Sequence, residues 1–457
     1  MKKHTQSPYE SSKVSYKPSG IKWLGEIPQS WEIKPLQAIF NQRNEQNNNL
    51  EFQTILSLVK DVGVIPYEEK GNVGNKAKDD LQGYKIARVN DLVLNKMNAV
   101  IGSLGVSKYD GLVSPIYLVL YIANPNYLIT YYSYLFQIKS VQKFLRKFAY
   151  GIMEIRESID YLEFKKMFLP TPPLQEQKEI AEFLDKKCEK IQNYINKKQK
   201  LITLLQEKKQ ALINEVVTKG LNPNIEFKNS EIEYLGLIPH HWEVKKLKYV
   251  GKVVLGKMLC NEHQKGYSHC YYLKSKNLQW LNVEVSQIEK MWFSEYEKSL
   301  YRIKKDDLLV SEGGEVGKTC IWNNELAECY IQNSVHKITL NKFNNAKFFL
   351  YLFFTYGKLG VFDSVVSRVS IAHLVLEKLV NVDMVVPPLQ EQKQIANFLD
   401  KKCEKINSVI EKTKKQIELI KEYKNTLINE AVCGRVACSR DFSLTLKMTK
   451  RKTNKRK

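Results

Sequence analysis

The sequence has no uninterrupted apolar segment of about 20 residues, which is the length that a membrane-spanning helix requires. An uncharged stretch at 111–138 is broken by Pro115 and by the Asn-Pro-Asn run at 124–126. We interpret this stretch as a buried strand followed by a helix. The polar N-terminus, 1–16, lacks the apolar centre of a secretory signal. These absences predict a soluble protein without membrane contact and favour a cytoplasmic location.

Cysteines are few and follow no metal-binding spacing. The chain has eight, which fits a reducing compartment better than a disulfide framework. Six Cys and His residues are candidate ligands, namely Cys260, His263, His269, Cys270, Cys320 and Cys329. Because no paired CxxC motif occurs among them, the spacing favours core or surface thiols, with a zinc site as the alternative.

Signatures of catalysis are also missing. The segment 312–319 resembles a phosphate-binding loop, but Glu312 stands where the first glycine is required. No Asn-Pro-Pro-Tyr-type element and no glycine-rich cofactor loop supports a methyltransferase. Glu68 and Lys70 could belong to a nuclease site, yet no acidic partner occupies a sensible strand position. The sequence therefore predicts no catalytic residue and no metal ligand.

Acidic residues are outnumbered by basic ones. The chain has 71 Lys+Arg against 49 Asp+Glu, which gives a net charge of +22. Part of this excess is a tail, because 447–457 holds seven basic residues in eleven. The remainder is spread over the rest of the chain and favours a polyanionic partner, for which we expect nucleic acid. The alternative is a general contribution of charge to solubility.

The sequence does contain a duplicated frame. Over 172–191 and 387–406, 18 of 20 positions are identical, and both segments begin Pro-Pro-Leu-Gln-Glu-Gln-Lys. A second pair with the pattern Leu-Gly-x-Ile-Pro-x-x-Trp ends at Trp31 and at Trp242. The dissimilar segments between these borders, here called insert 1 and insert 2, are 32–171 and 243–386. One scaffold is therefore predicted to present two different binding domains.

Each copied segment begins a long predicted helix. Apolar residues alternate at spacings of four and three, as in the seam of a two-helix coiled coil. Paired prolines precede each helix, and Gly220 or Gly434 follows it. The predicted seam residues are Leu184, Ile191, Ile195, Ile202, Leu205, Leu212, Leu399, Ile406, Ile410, Ile417, Ile420 and Leu427. Two amphipathic helices that pack separately on their own domains are the alternative.

Chain length sets the direction of these helices. A helix of about 43 residues is roughly 65 Å long. The linker at 220–230, with about ten residues, reaches roughly 35 Å when extended. Insert 2 must therefore start near the far end of the first helix, and the second helix must return along the first. We predict an antiparallel pair with one insert at each end and pseudo-two-fold symmetry.

The inserts themselves have an α+β pattern. Strand-like apolar runs and helical segments alternate within each, with glycines after the first of the strands. The predicted strands are 89–95, 116–122, 307–310 and 330–340, and the predicted helices are 126–149 and 344–360.

This order of motifs resembles the specificity subunit of type I restriction–modification systems. The similarity covers about 19–434 and includes both Leu-Gly-x-Ile-Pro-x-x-Trp motifs and both Pro-Pro-Leu-x-Glu-Gln helices. Segments 90–97 and 307–314 look like target-recognition domains of that family. The resemblance implies an α+β fold in which two globular target-recognition domains are joined by two long antiparallel helices that form a coiled coil.

The resemblance also implies a function without catalysis in this chain. Each insert would bind one half of an interrupted, asymmetric site in double-stranded DNA, and the helices would set the spacer. Two modification subunits, which methylate adenine with S-adenosylmethionine, would dock on the helices, and restriction subunits would follow through them. ATP and magnesium are likewise expected on partner subunits. The alternative is a self-contained restriction enzyme or DNA methyltransferase with its catalytic site in one insert.

The predicted organisation has six parts. They are a polar N-terminal segment (1–18), target-recognition domain 1 (19–171), spacer helix 1 (172–220), target-recognition domain 2 (221–386), spacer helix 2 (387–434) and a basic tail (435–457).

DNA contacts are predicted from position and side-chain chemistry, because turns at strand ends can reach base edges. The candidates are Lys60, Lys96, Asn98 and Arg156 in the first domain, and Lys274, Glu312, Gln332, Asn333, His336 and Arg368 in the second. A solvated surface role is the alternative for each.

Overall fold

The protein is described by a computed structural model over residues 15–60, 62–71, 80–150, 158–362 and 373–435. These residues fall into two compact units. Unit 1 runs to residue 197 and resumes at residue 416, and unit 2 comprises the residues between. Each unit therefore contains one insert, the start of one long helix and the end of the other.

Unit 1 combines short strands with short helices ahead of the first long helix. Its strands are β1 (Tyr16–Pro18), β2 (Glu26–Pro28), β3 (Glu32–Pro35), β4 (Asn41–Gln42), β5 (Leu56–Val59), β6 (Gly63–Pro66), β7 (Lys85–Ala87), β8 (Leu92–Asn95), β9 (Leu104–Val106), β10 (Gly111–Val113), β11 (Tyr117–Tyr121), β12 (Ala149–Tyr150), β13 (Ser158–Ile159) and β14 (Phe168–Thr171). Its α-helices are α1 (Leu36–Ile39), α2 (Ile129–Gln137), α3 (Lys139–Leu145), α4 (Tyr161–Phe164) and the first part of α5 (Leu174–Lys219).

Unit 2 has a similar set of elements. Its strands are β15 (Phe227–Asn229), β16 (Leu237–Pro239), β17 (Glu243–Lys246), β18 (Gly251–Leu255), β19 (Ser268–Leu273), β20 (Leu278–Gln279), β21 (Asn282–Val283), β22 (Glu289–Phe293), β23 (Leu308–Ser311), β24 (Thr319–Ile321), β25 (Tyr330–Ile331), β26 (Val335–Leu340) and β27 (Asp383–Val386). Its helices are α6 (Leu247–Val250), α7 (Glu295–Tyr301), α8 (Ala346–Lys358), α9 (Leu376–Val380) and the first part of α10 (Leu389–Val432).

The central sheets of the two inserts have the same topology although their sequences differ. The strand order is β4-β11-β8-β9 in unit 1 and β18-β26-β23-β24 in unit 2, and every pairing is antiparallel. The turn before β8 and the turn before β23 also match. Asn90 and Asp306 both have positive φ, and the next residue, Asp91 or Asp307, accepts a backbone N–H three residues back. The duplication thus extends into the inserts.

The first and last strands of each insert pair with each other. In unit 1, β3 pairs antiparallel with β14, and in unit 2, β17 pairs antiparallel with β27. Each insert is therefore closed at its base, and the chain leaves it through two prolines into a long helix. Proline suits this position because a helix start needs no backbone donor there.

The two long helices are antiparallel within each unit. α5 has 46 residues and α10 has 44. In unit 1, Leu184 near the start of α5 shares an apolar cluster with Ile428 near the end of α10. In unit 2, Ile213 near the end of α5 shares a cluster with Leu399 near the start of α10. Each of the twelve predicted seam residues is buried or half-buried.

Gln177 of the copied motif fastens insert 1 to the start of α5. Its side chain is fully buried, and its Oε1 accepts the backbone N–H of Leu128 at 2.8 Å. Its Nε2 donates to the carbonyls of Asn126 and Pro172 at 3.2 and 2.8 Å. Both N–H donors of this amide and its oxygen are used, which explains why glutamine suits this position.

Gln392 repeats these contacts in unit 2. Its side chain is also fully buried, and its Oε1 accepts the backbone N–H of Asn345 at 2.7 Å. Its Nε2 donates to Asn344 Oδ1 and to the carbonyl of Pro387 at 3.2 and 2.9 Å. The copied motif is therefore an attachment between helix and insert.

The glycine after each long helix permits a close approach. Gly434 has φ +72° and packs against Pro28 and Trp31 of unit 1, where a Cβ would overlap the proline ring. Gly220 has φ +75° and lies beside Trp242 of unit 2. The end of α10 thus packs against the tryptophan motif before insert 1, and the end of α5 packs against the motif before insert 2. The two glycines that were predicted to end the helices therefore also permit this close contact.

Two predicted elements are interrupted in the structure. The predicted helix 126–149 is two helices, α2 and α3, because Ile138 between them has an extended backbone (φ −72°, ψ 134°). Its side chain is buried, so burial outweighs helical continuity there. The predicted strand 330–340 is β25 and β26, separated by a polar turn at 332–334. Among the residues that the structure describes, no helix is long and apolar enough to cross a membrane.

Candidate nucleic-acid interface

In unit 1, the predicted residues Lys96 and Asn98 follow β8 on one turn. The Lys96 carbonyl accepts the backbone N–H of Ile159 at 3.0 Å, which ties this turn to β13. Asn98 is exposed, and its carbonyl accepts the N–H of Ser103 at 3.0 Å. The side chains are thus presented on a braced backbone.

A second lysine joins this turn. Lys85 Nζ donates to the Tyr117 carbonyl at 2.7 Å. Burial lowers the pKa of Lys85, and the charge of nearby Lys96 lowers it further. The sequence analysis did not select Lys85, since its position depends on tertiary pairing with Val113 and Gln46. Lys60 is exposed on the separate β5–β6 turn, and Arg156 lies outside the described residues.

In unit 2, four predicted residues lie on three chain segments that are tied to one another. The Ser334 carbonyl accepts the backbone N–H of Glu312 at 2.9 Å and the Ser275 hydroxyl at 2.6 Å. Ser275 N–H donates in return to Ser334 Oγ at 3.0 Å. Gln332 and Asn333 precede Ser334, and Lys274 precedes Ser275. Ser275 and Ser334 were missed by the sequence analysis, because their role depends on this tertiary pairing.

The charged members of this cluster differ in their surroundings. Burial raises the pKa of Glu312, against the opposing effect of the charge on His373. Lys274 forms an ion pair with Glu289, which also accepts the Tyr272 hydroxyl at 2.9 Å. Burial and this carboxylate raise the pKa of Tyr272 to about 12. Glu312 could accept a hydrogen bond from a cytosine amino group, while Lys274 could donate to guanine or phosphate.

His336 has a different position from the other candidates. It is fully buried in β26, and its Nε2 lies 2.7 Å from the Leu374 carbonyl, to which it donates. Burial lowers the pKa of His336. This placement favours a structural role over direct contact with DNA. Arg368 lies outside the described residues.

The cysteines and histidines considered as zinc ligands fall into two places, because His263 and His269 both pack against the Trp292 ring. Cys320 and Cys329 are buried in an apolar cluster, and burial raises the pKa of Cys329 to about 12. Within the described ranges, no group of three or more His, Cys, Asp or Glu residues could hold a metal ion. The turn after β8 in unit 1 and the three tied segments in unit 2 offer amides, lysines and a carboxylate, which is the chemistry of base-edge and phosphate contacts.

Comparison with known proteins finds similar chains. The family described as type I restriction modification DNA specificity domain matches residues 28–206 and 239–419. The MjaX type I restriction enzyme specificity subunit of Methanocaldococcus jannaschii is 26% identical over 432 residues, covering 90% of this chain and 95% of the relative. The MjaVIII specificity subunit of the same organism is 26% identical over 291 residues, or 61% of this chain and 64% of the relative.

Two solved structures have a similar fold. A chain from a structural study of complex assembly and conformational transition of the type I R-M system aligns with a TM-score of 0.68 at 14% identity, covering 90% of this chain and 99% of that chain. The HsdS subunit from Thermoanaerobacter tengcongensis aligns with a TM-score of 0.50 at 14% identity, covering 90% and 98%. At such identity the likeness concerns the fold.

Proposed function

Because this chain belongs to the family of type I restriction modification DNA specificity domains, we propose that it binds a bipartite, asymmetric DNA site through its two inserts. The chain is a DNA-recognition specificity subunit, and each insert contacts one half of the site. The observation that carries this proposal is one duplicated sheet topology that presents two different sets of strand-end turns. Two inserts with the same sheet topology but different turns suit a DNA site whose two halves differ in sequence.

The proposed role of the chain in the complex is recognition without catalysis. Two modification subunits would dock along the long helices and methylate adenine with S-adenosylmethionine. Restriction subunits that use ATP and magnesium would join through them. In this proposal, phosphate contacts from lysines and amides of the insert loops position the DNA for these partners. Contacts from the turns to base edges select the sequence.

The decisive experiment compares the purified chain alone with the chain bound to its modification subunits. The proposal expects the complex to methylate adenines in a two-part motif, mapped by methylation-sensitive sequencing of the DNA. It expects the isolated chain to bind the same duplex and to neither methylate nor nick it. Methylation or nicking by the isolated chain would favour a self-contained enzyme with a catalytic site in one insert.

The helix pair is proposed to set the spacer between the two half-sites. One added helical turn in both α5 and α10 lengthens the pair by about 6 Å, which corresponds to roughly two base pairs. We expect the methylated motif to gain about two unspecified positions, while both half-sites stay the same. A motif with an unchanged spacer would refute this role. Replacing four residues of each helix by alanine on the exposed face, without changing length, is the matched control.

A further inference from the structure

Unit 2 exposes two consecutive apolar side chains next to its candidate DNA contacts. Met258 and Leu259, just beyond β18, are 75% and 52% exposed. Exposing such side chains to water is unfavourable, by about 25 cal/mol for each Å² of apolar surface. A single exposed apolar residue needs no explanation, but an adjacent pair on a braced backbone suggests a contact surface.

The backbone before this pair is held firmly. Lys257 N–H donates to the Ile331 carbonyl at 3.0 Å, and the Lys257 carbonyl accepts Asn333 N–H at 2.8 Å. The Lys257 ammonium donates to the Trp292 carbonyl at 2.8 Å. Gly256 lies so close to Gln332 that a Cβ would overlap its carbonyl oxygen. Met258 and Leu259 therefore project from a fixed base.

That base is part of the candidate interface. Asn333, which binds the Lys257 carbonyl, is one of the residues predicted to contact DNA, and Gln332 pairs with Lys257 in a parallel bridge. The apolar pair thus follows directly on a backbone segment that is hydrogen-bonded to the turn carrying Gln332 and Asn333. DNA interfaces combine such polar contacts with apolar contacts to thymine methyl groups or between base steps.

Unit 1 differs at the equivalent positions. Gln42 pairs with Leu120 in unit 1, and Val253 pairs with Ile338 in unit 2, so Gln42 and Val253 are equivalent. Five and six residues further along the chain, residues 47 and 48 are the equivalents of Met258 and Leu259. Both of these are asparagines. The Asn47 side chain is buried and donates to the Phe52 carbonyl at 3.0 Å. At these two positions unit 1 therefore has polar residues where unit 2 has an exposed apolar pair. Elsewhere in unit 1, Met97 is 41% exposed between Lys96 and Asn98.

We propose that Met258 and Leu259 contact bases of the half-site that insert 2 binds and help to determine its sequence. The inference rests on the proposed function of the two inserts. These contacts are apolar, so they select against bases that place a polar group at the same point of the groove.

The test uses the complex of the full chain with its modification subunits. The variant Met258→Ala/Leu259→Ala should bind the cognate duplex about 10-fold more weakly, the size of one lost base contact. Its methylated motif should accept additional bases at one or two positions of the insert 2 half only. Met258→Leu/Leu259→Met keeps the apolar surface and should keep the wild-type motif. Equal melting temperatures exclude misfolding as the cause.

Exposed apolar residues at the opposite end of the sheet provide the control. Tyr249 and Phe343 are 66% and 65% exposed, and they precede β18 and follow β26 respectively. The variant Tyr249→Ala/Phe343→Ala should change affinity by less than about twofold and leave the motif intact.

The outcomes separate this inference from the proposed function. If the wild-type complex methylates no two-part motif, the proposed function fails. A wild-type complex that is active, together with a Met258→Ala/Leu259→Ala variant of unchanged motif and affinity, overturns the inference alone. Loss of modification-subunit binding by that variant, with intact DNA binding, would assign the pair to a protein contact and would also overturn it.

Discussion

Units 1 and 2 use the same glutamate of the copied motif, but that glutamate has a different partner in each. In unit 1, Trp31 Nε1 donates to Glu176 Oε2 at 2.7 Å. In unit 2, His241 Nε2 lies 2.7 Å from Glu391 Oε2. The buried Trp242 Nε1 has no hydrogen-bond partner among the described residues.

The residue before each tryptophan also differs between the units. Unit 1 has Ser30 there, whose hydroxyl donates to Glu176 Oε1 at 3.2 Å and leaves Oε2 to the indole. Unit 2 has His241 there, whose ring forms the hydrogen bond with Glu391. By contrast, Gln177 and Gln392 share two contacts, to a backbone N–H of the insert and to the carbonyl of the first proline, and differ in the third, which is a carbonyl in unit 1 and the Asn344 side chain in unit 2. A duplicated motif therefore keeps the contacts that attach the insert and lets the neighbouring ones diverge.

The largest effect is expected from exchanging a whole insert. Replacing 32–171 by the corresponding segment of another family member should change one half of the methylated motif completely and leave the other half and the spacer as they were. The reason is that β3 and β14 close the insert at its base. Sequencing of methylated DNA measures both halves at once. A change in both halves would show that the inserts do not act separately.

The buried glutamines should be the most costly single substitutions. Gln177→Leu leaves the Leu128 N–H and two carbonyls without partners in a buried place, so we expect a loss of about 2–4 kcal/mol in the free energy of unfolding. Gln392→Leu should cost a similar amount, because it also removes one accepted and two donated hydrogen bonds. Denaturant unfolding compares the two variants. Gln175→Leu, at an exposed position, is the control and should change stability by less than about 0.5 kcal/mol.

The two tryptophans should respond unequally to the same change. Trp31→Phe removes the indole donor from Glu176 and should cost about 1 kcal/mol more than Trp242→Phe, which removes an unpaired N–H. Both variants lose similar apolar volume, so their difference isolates the hydrogen bond. Denaturant unfolding of the full chain provides the measurement. Equal losses in stability would mean that the indole of unit 1 contributes nothing through its donor.

The frame of this fold follows from the sequence because its signals are local or repeated. Proline starts, glycine stops and a four-three apolar spacing define the helices, and the short linker at 220–230 predicts their direction. The turn at 332–334 and the break at Ile138 do not follow, since the turn is held by hydrogen bonds to distant segments and the break lies at a buried residue. The same limit applies to the interface. Lys274 and Gln332 are predictable as polar turn residues, but Ser334, which ties their segments together, is not.

A buried histidine in unit 2 replaces a leucine of unit 1 and should give a small pH dependence. His336 pairs with Val310, as Leu118 pairs with Leu94. Burial lowers the pKa of His336 below its ordinary value of 6.5, and its buried Nδ1 has no hydrogen-bond partner within the described part of the chain.

The unfolded chain therefore binds a proton near pH 6.5 that the folded chain excludes, so stability falls as pH decreases below that value, by at most about 1.4 kcal/mol per pH unit. In His336→Leu this contribution should vanish, whereas His240→Leu, at an exposed position, should retain it. Unfolding free energies measured between pH 5 and pH 7.5 test the difference. Parallel curves for wild type and His336→Leu would mean that His336 takes up its proton in the folded state.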